Sequence, residues 1–127
     1  MTQSIARRAI LLVASGVLIA CTSATGAGGS PPPAPSGGAV ITAQGIAFDR
    51  QQLEVPAGRP FQLLFENREG APHNVTIFDD AGQPLFVGEI FGGPGSRTYD
   101  VPAIPAGAYR FRCDVHPDMA GTVVANT

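Results

Sequence analysis

Three side chains that can bind a soft metal ion lie close together near the C-terminus, in the segment FRCDVHPDMAG, residues 111–121. Cys113, His116 and Met119 follow one another at intervals of three residues, and Pro117 disfavours a helix across them. A short loop can fold all three toward one point. Thiolate and thioether are soft donors and imidazole is borderline, so the set favours copper over magnesium, calcium or a structural zinc site.

His73 is the only histidine in the chain besides His116. Strand alternation in residues 73–77 places His73 on the apolar side, and the same alternation in residues 109–113 turns Cys113 inward and the arginines outward. We therefore expect the two side chains to meet at one end of a β-sandwich. One cysteine and two histidines in a plane, with a weak axial methionine, form the ligand set of a blue-copper electron-transfer site.

The N-terminus, MTQSIARRAILLVASGVLIAC, predicts export. Two arginines precede the apolar residues 9–20, which are shorter than the stretch of about 20 residues that spans a bilayer. We therefore interpret residues 1–20 as a signal peptide, with the general and twin-arginine routes both open. Residues 18–21 resemble the lipobox of bacterial lipoproteins, which predicts that Cys21 is lipidated. The alternative is an ordinary signal peptide with an unrelated cysteine.

The cysteine count supports a metal at Cys113. The chain has two cysteines, and if Cys21 carries lipid, Cys113 has no disulfide partner. Cysteines of exported proteins usually pair, so an unpaired thiol that faces inward needs another explanation, and metal binding supplies one. Residues 21–38 are then the lipidated cysteine and a tether rich in proline, glycine and serine, and residues 39–127 are the folded domain.

The domain is predicted to be all-β. Turn residues separate short apolar runs, and Asp79–Gly82 is predicted to be a hairpin loop. We expect seven or eight strands in a Greek-key sandwich or barrel. The short apolar runs are PFQLLFEN, HNVTIFD, PLFVGEIF, GAYRFRC and GTVVAN. An immunoglobulin-like adhesion module without a metal is the alternative fold, although it would lack the usual disulfide.

The ligand segment resembles that of the cupredoxins, the small blue-copper proteins. Residues 113–119 match their C-x2-H-x2-M loop in the short form of amicyanin, and residues 72–75, Pro-His-Asn-Val, match the segment of the first histidine. The likeness extends from about residue 40 to residue 126. Plastocyanin has longer spacings in the ligand loop, so the loop itself matches the compact members of the family. The resemblance implies that Asn74 connects the two ligand segments. It implies that one copper ion is bound by His73, Cys113, His116 and Met119.

The predicted function is single-electron transfer between redox proteins outside the cytoplasm, by a monomer anchored to a bacterial membrane, in the periplasm or at the cell surface. Pro72, Pro117 and Ala120 are expected to form an apolar docking surface around His116. The alternative is a copper carrier or sequestering lipoprotein with the same site. We expect no enzymatic activity, because catalytic multicopper centres need further histidines.

Charge argues against one class of partner. The formal net charge of the chain is −2, and without the two arginines of the signal peptide 6 basic residues stand against 10 acidic ones, or −4. No basic cluster is available to neutralise phosphates, so we do not expect nucleic-acid binding.

Overall fold

A computed structural model describes residues 38–127; the predicted signal peptide, Cys21 and nearly all of the predicted tether lie outside them. The described part consists of strands and loops without a helix. It therefore offers no helix that is long and apolar enough to cross a bilayer. The strands, β1 to β10 in chain order, are Ala39–Ala43, Gln52–Pro56, Phe61–Asn67, Pro72–His73, Thr76–Phe78, Pro84–Val87, Phe91–Gly92, Gly95–Val101, Gly107–Arg112 and Ala120–Asn126.

Two main sheets form the domain. One has the order β1-β3-β8 and the other the order β2-β10-β9-β5-β6, while β4 and β7 pair as a short ribbon. β1 runs parallel to β3 and β2 parallel to β10, and the remaining pairs are antiparallel. The predicted all-β sandwich is confirmed. It has ten strands where seven or eight were expected, and two of the ten contain only two residues each.

Aromatic rings occupy the core between the sheets. Phe65 and Phe111 are fully buried, in line with the alternation along β3 and β9, and the arginines of β9 are exposed. Phe48 packs edge to face against both rings, with centroid distances of 6.3 and 5.3 Å, and Phe65 packs the same way against Phe91 at 5.5 Å. Such pairs add directional preference to the burial of apolar area.

Two of the predicted strands are each divided into two. HNVTIFD contributes to β4 and β5, and PLFVGEIF contributes to β6 and β7. Gly88 explains part of this division, because its amide donates a 2.9 Å hydrogen bond to the carbonyl of Val75. A Cβ atom at Gly88 would lie 2.8 Å from that oxygen and 2.9 Å from the Tyr99 ring, so only glycine fits there without displacing its neighbours. The hairpin predicted at residues 79–82 is confirmed between β5 and β6.

The segments that carry the predicted metal ligands lie at one end of the sandwich. β9 ends one residue before Cys113 and β10 begins one residue after Met119, so residues 113–119 form the loop between two antiparallel neighbours. β5 pairs with β9 so that Thr76 lies opposite Arg112. This pairing places the segment that carries His73 beside the start of the loop.

Candidate metal centre

Three potential metal-binding atoms converge at that end. Cys113 Sγ lies 3.7 Å from His73 Nδ1 and 3.9 Å from His116 Nδ1, and the two Nδ1 atoms are 3.1 Å apart. Cys113 and His73 are fully buried, and His116 is half-buried. The thiol is free of any disulfide. The structure therefore brings together the three strongest donors that the sequence predicted, from two segments 40 residues apart.

The spacing of these atoms suits a small transition-metal ion. An ion bound to nitrogen at about 2.0–2.1 Å and to thiolate sulfur at about 2.3 Å holds three donors in a trigonal plane about 3.5–3.8 Å apart. The sulfur–nitrogen distances of 3.7 and 3.9 Å lie at or just above the upper end of that range, and the nitrogen–nitrogen distance of 3.1 Å is shorter. The three donors are therefore close enough together to bind one ion.

His73 is oriented by Glu69, a residue that the sequence analysis did not single out. The Nε2 atom of His73 lies 2.7 Å from Glu69 Oε1. An ionised carboxylate can only accept a hydrogen bond, so Nε2 carries the proton and donates it. The lone pair of the neutral imidazole is then on Nδ1, which faces Cys113. A carboxylate on the far nitrogen is a common means of fixing the tautomer of a metal-binding histidine.

A strained backbone turn positions Glu69. Gly45 and Ile46 have φ angles of 66° and 56°, and both backbone amides donate hydrogen bonds of 2.9 Å to the Glu69 carboxylate. A left-handed conformation is rare for a β-branched residue such as Ile46. The hydrogen bond from the Ile46 amide lowers the pKa of Glu69 below its usual value of 4.5, and the hydrogen bond from His73 is the second largest cause of this shift. The carboxylate that positions His73 is therefore ionised at neutral pH.

The loop 113–119 is closed by its own backbone. The Cys113 amide donates to the carbonyl of Met119 at 2.9 Å, and the Met119 amide donates to the carbonyl of His116 at the same distance. Met119 is 3% exposed. The predicted axial ligand is thus a buried residue at the end of the loop, directly before β10.

Asn74 connects the two ligand segments through both ends of its amide. Its Oδ1 accepts a 2.8 Å hydrogen bond from the backbone amide of Asp114, and its Nδ2 donates to the Asp114 carboxylate at 2.8 Å and to the carbonyl of Gly88 at 3.0 Å. Asn74 is fully buried. Because Asn74 follows His73 and Asp114 follows Cys113, these bonds fix the separation of the two donors.

The residues predicted to dock partners adjoin the predicted ligands in sequence, because Pro72 precedes His73, Pro117 follows His116 and Ala120 follows Met119. Pro72 and Pro117 are exposed, and Ala120 is half-buried. Val115, in the same loop, is a further exposed apolar side chain at 40%. The surface beside the half-buried histidine therefore presents apolar groups to solvent.

Comparison with known proteins agrees with the fold. The model of the cupredoxin-like domain family matches residues 10–125. Plastocyanin of Ginkgo biloba is 37% identical over 92 residues, which cover 64% of this chain and 89% of that protein. Amicyanin-alpha of Methylorubrum extorquens is 29% identical over 122 residues, which cover 92% of this chain and 98% of that protein.

A solved structure resembles the described fold at lower sequence identity. Auracyanin A of the green thermophilic photosynthetic bacterium Chloroflexus aurantiacus, a "blue" copper protein, superposes with a TM-score of 0.62. The sequences are 21% identical, and the match covers 70% of this chain and 98% of that structure. At this identity the likeness concerns the fold.

Proposed function

The chain belongs to the cupredoxin-like domain family, and on that premise we propose that it is a blue-copper protein that carries single electrons between redox partners outside the cytoplasm. The observation that carries the proposal is the convergence of one thiol and two imidazole nitrogens within 4.8 Å of one another at a buried end of the sandwich. Both histidines of the chain take part.

The donor set selects the metal. Cys113 Sγ, the Nδ1 atoms of His73 and His116 and the thioether of Met119 are the groups that would hold the ion. Structural zinc sites rarely use methionine, and magnesium and calcium prefer oxygen ligands, so copper fits these residues best. When bound, copper would supply a one-electron change between Cu(II) and Cu(I).

The protein contributes a site that is already assembled. Glu69 holds the ring of His73, Asn74 ties the two ligand segments together, and two backbone hydrogen bonds close the loop. Because these contacts do not depend on the metal, the ligands have little freedom to move when the charge of the site changes. Such rigidity favours fast electron transfer, since less reorganisation accompanies each step.

His116 is the proposed contact with redox partners. It is the half-buried member of the trio, and Pro72, Pro117 and Ala120 lie in the segments around it. A small apolar surface suits short-lived encounters, which electron carriers need. We propose no enzymatic activity, because both histidines of the chain are used at one site and none is left for a second copper centre.

The test is the visible and EPR spectrum of the purified protein during titration with Cu(II). We expect one copper per chain and an intense band from charge transfer between thiolate and copper. Cys113→Ser should abolish the band, and Cys21→Ser, which removes the other cysteine, is the matched control and should keep it. A band that survives in Cys113→Ser would contradict the proposal.

Voltammetry of the copper form then separates electron transfer from copper delivery. Reversible one-electron cycling with fast self-exchange is expected of an electron carrier. Ready transfer of the ion to an acceptor, with slow or irreversible cycling, would favour the alternative of a copper carrier or sequestering protein.

We propose further that residues 1–20 are a signal peptide and that lipid on Cys21 anchors the domain through residues 21–38. The lipobox-like sequence before Cys21 supports this part of the proposal. A lipid anchor with two acyl chains would give stable membrane attachment. Cys21→Ser should release the protein from the membrane fraction and leave the copper spectrum unchanged. Retention of the variant in that fraction would indicate an uncleaved signal helix instead.

A further inference from the structure

Asp114, the residue directly after Cys113, turns its carboxylate back toward the segment that carries His73. The Oδ2 atom accepts hydrogen bonds from Asn74 Nδ2 at 2.8 Å and from Thr76 Oγ1 at 2.6 Å. Both donors belong to buried residues, Asn74 at 0% and Thr76 at 1% exposure. The carboxylate is therefore fixed between the two ligand segments.

This charge is only partly neutralised by its neighbours. Among residues 38–127, one cation forms a salt bridge with it: Arg112 Nε lies 3.9 Å from Asp114 Oδ1, which is too long for a hydrogen bond. The Arg112 guanidinium also lies over the ring of Phe78, 4.6 Å from its centroid. The Asp114 side chain is only 30% exposed, so water screens it less than it screens a fully exposed carboxylate.

Asp118 offers an internal comparison. It lies in the same loop, carries the same formal charge and is one residue before Met119. Both residues stand at exposed positions, but within residues 38–127 the Asp118 carboxylate takes part in none of the side-chain hydrogen bonds or salt bridges, whereas the Asp114 carboxylate accepts from two buried donors. Solvent and salt therefore screen Asp118 more effectively.

We propose that the fixed negative charge of Asp114 lowers the reduction potential of the copper centre. The inference rests on the proposed function. Cu(II) carries one more positive charge than Cu(I), so a nearby anion stabilises the oxidised form more than the reduced form. Because the carboxylate is held in place and partly shielded from water, its effect exceeds that of a mobile surface charge at a similar position in the loop.

The test is the reduction potential of three copper-loaded variants beside the parent. Asp114→Asn removes the charge and keeps an oxygen that can accept from Asn74 and Thr76, so we expect the potential to rise. Asp114→Glu keeps the charge and should stay closer to the parent. Asp118→Asn, the matched control, should shift the potential less than Asp114→Asn does. Added salt should reduce the shift of Asp118→Asn by a larger fraction than the shift of Asp114→Asn.

Three results would overturn the inference. The first is a potential of Asp114→Asn equal to that of the parent, and the second is a shift no larger than that of Asp118→Asn. The third is an equal rise in Asp114→Glu, which would assign the effect to hydrogen-bond geometry and not to charge. Failure of the parent itself to bind copper would be a different outcome, because it would contradict the proposed function.

Discussion

His73 and His116 present the same ring nitrogen, Nδ1, to the same point, but from opposite surroundings. His73 is fully buried, belongs to the short strand β4 and donates from its other nitrogen to Glu69 at 2.7 Å. His116 is half-buried in the loop between β9 and β10, among exposed residues. One ligand is thus held from the interior, and the other is presented to the surface.

The difference assigns separate tasks to the two sides of the site. The interior side defines the geometry, because Glu69 and Asn74 connect His73 to a turn and to the neighbouring loop. The surface side gives access, because His116 can contact a partner without any movement of the buried wall. A carrier that exchanges electrons needs both properties at one ion.

The largest effect is expected when either histidine is replaced by glycine. Without added ligand, both His73→Gly and His116→Gly should lose the charge-transfer band, since each removes a strong ligand. Added imidazole should restore colour in His116→Gly, because the vacated position is open to solvent. It should restore little in His73→Gly, whose position is closed. Titration with imidazole at fixed Cu(II) measures the contrast, and equal rescue of the two variants would refute it.

Asn74→Ala tests the connection between the two sides. It removes the hydrogen bonds to the amide and carboxylate of Asp114 and to the carbonyl of Gly88, and leaves these groups without that partner. Loss of such a buried partner costs about 1–3 kcal/mol in the free energy of unfolding. Urea unfolding of the metal-free protein measures it. Asn126→Ala, at an exposed position, is the control and should change little; equal stability of the two variants would mean that Asn74 does not brace the site.

Much of this arrangement follows from residue patterns that can be seen without coordinates. Alternation along 109–113 correctly places Phe111 and Cys113 inside, and the loop spacing predicts the partners of the thiol. Glu69 is different, because its contact with His73 depends on a turn that has no repeating pattern. Thr76 is also buried although alternation would expose it, since the Asp114 carboxylate covers its hydroxyl. The contacts of Glu69 and Asp114, which depend on irregular turns and loops, therefore do not follow from the sequence pattern.

Met119→Leu probes the wall of the site without changing either histidine. The swap nearly conserves volume, so it should cost less than about 1.5 kcal/mol in stability. An axial thioether binds weakly and at long range, so copper and colour should remain. The reduction potential should rise, because loss of a donor destabilises Cu(II) more than Cu(I). Voltammetry beside the parent measures this, and an unchanged potential would mean that Met119 only packs in the core.

Glu69→Gln gives the smallest effect and tests whether a carboxylate holds the interior side. The pKa of Glu69 is lower in the folded chain than its usual value of 4.5, so the unfolded chain binds more protons in acid. The stability from this group is therefore present above that value and lost as pH falls through the lowered pKa. As the pH falls below 4.5, the metal-free parent should lose stability more steeply than Glu69→Gln. Urea midpoints measure the slopes, with Glu54→Gln, exposed on β2, as the control that should follow the parent. If stability falls equally steeply with pH in the parent and in Glu69→Gln, the ionised carboxylate does not hold His73.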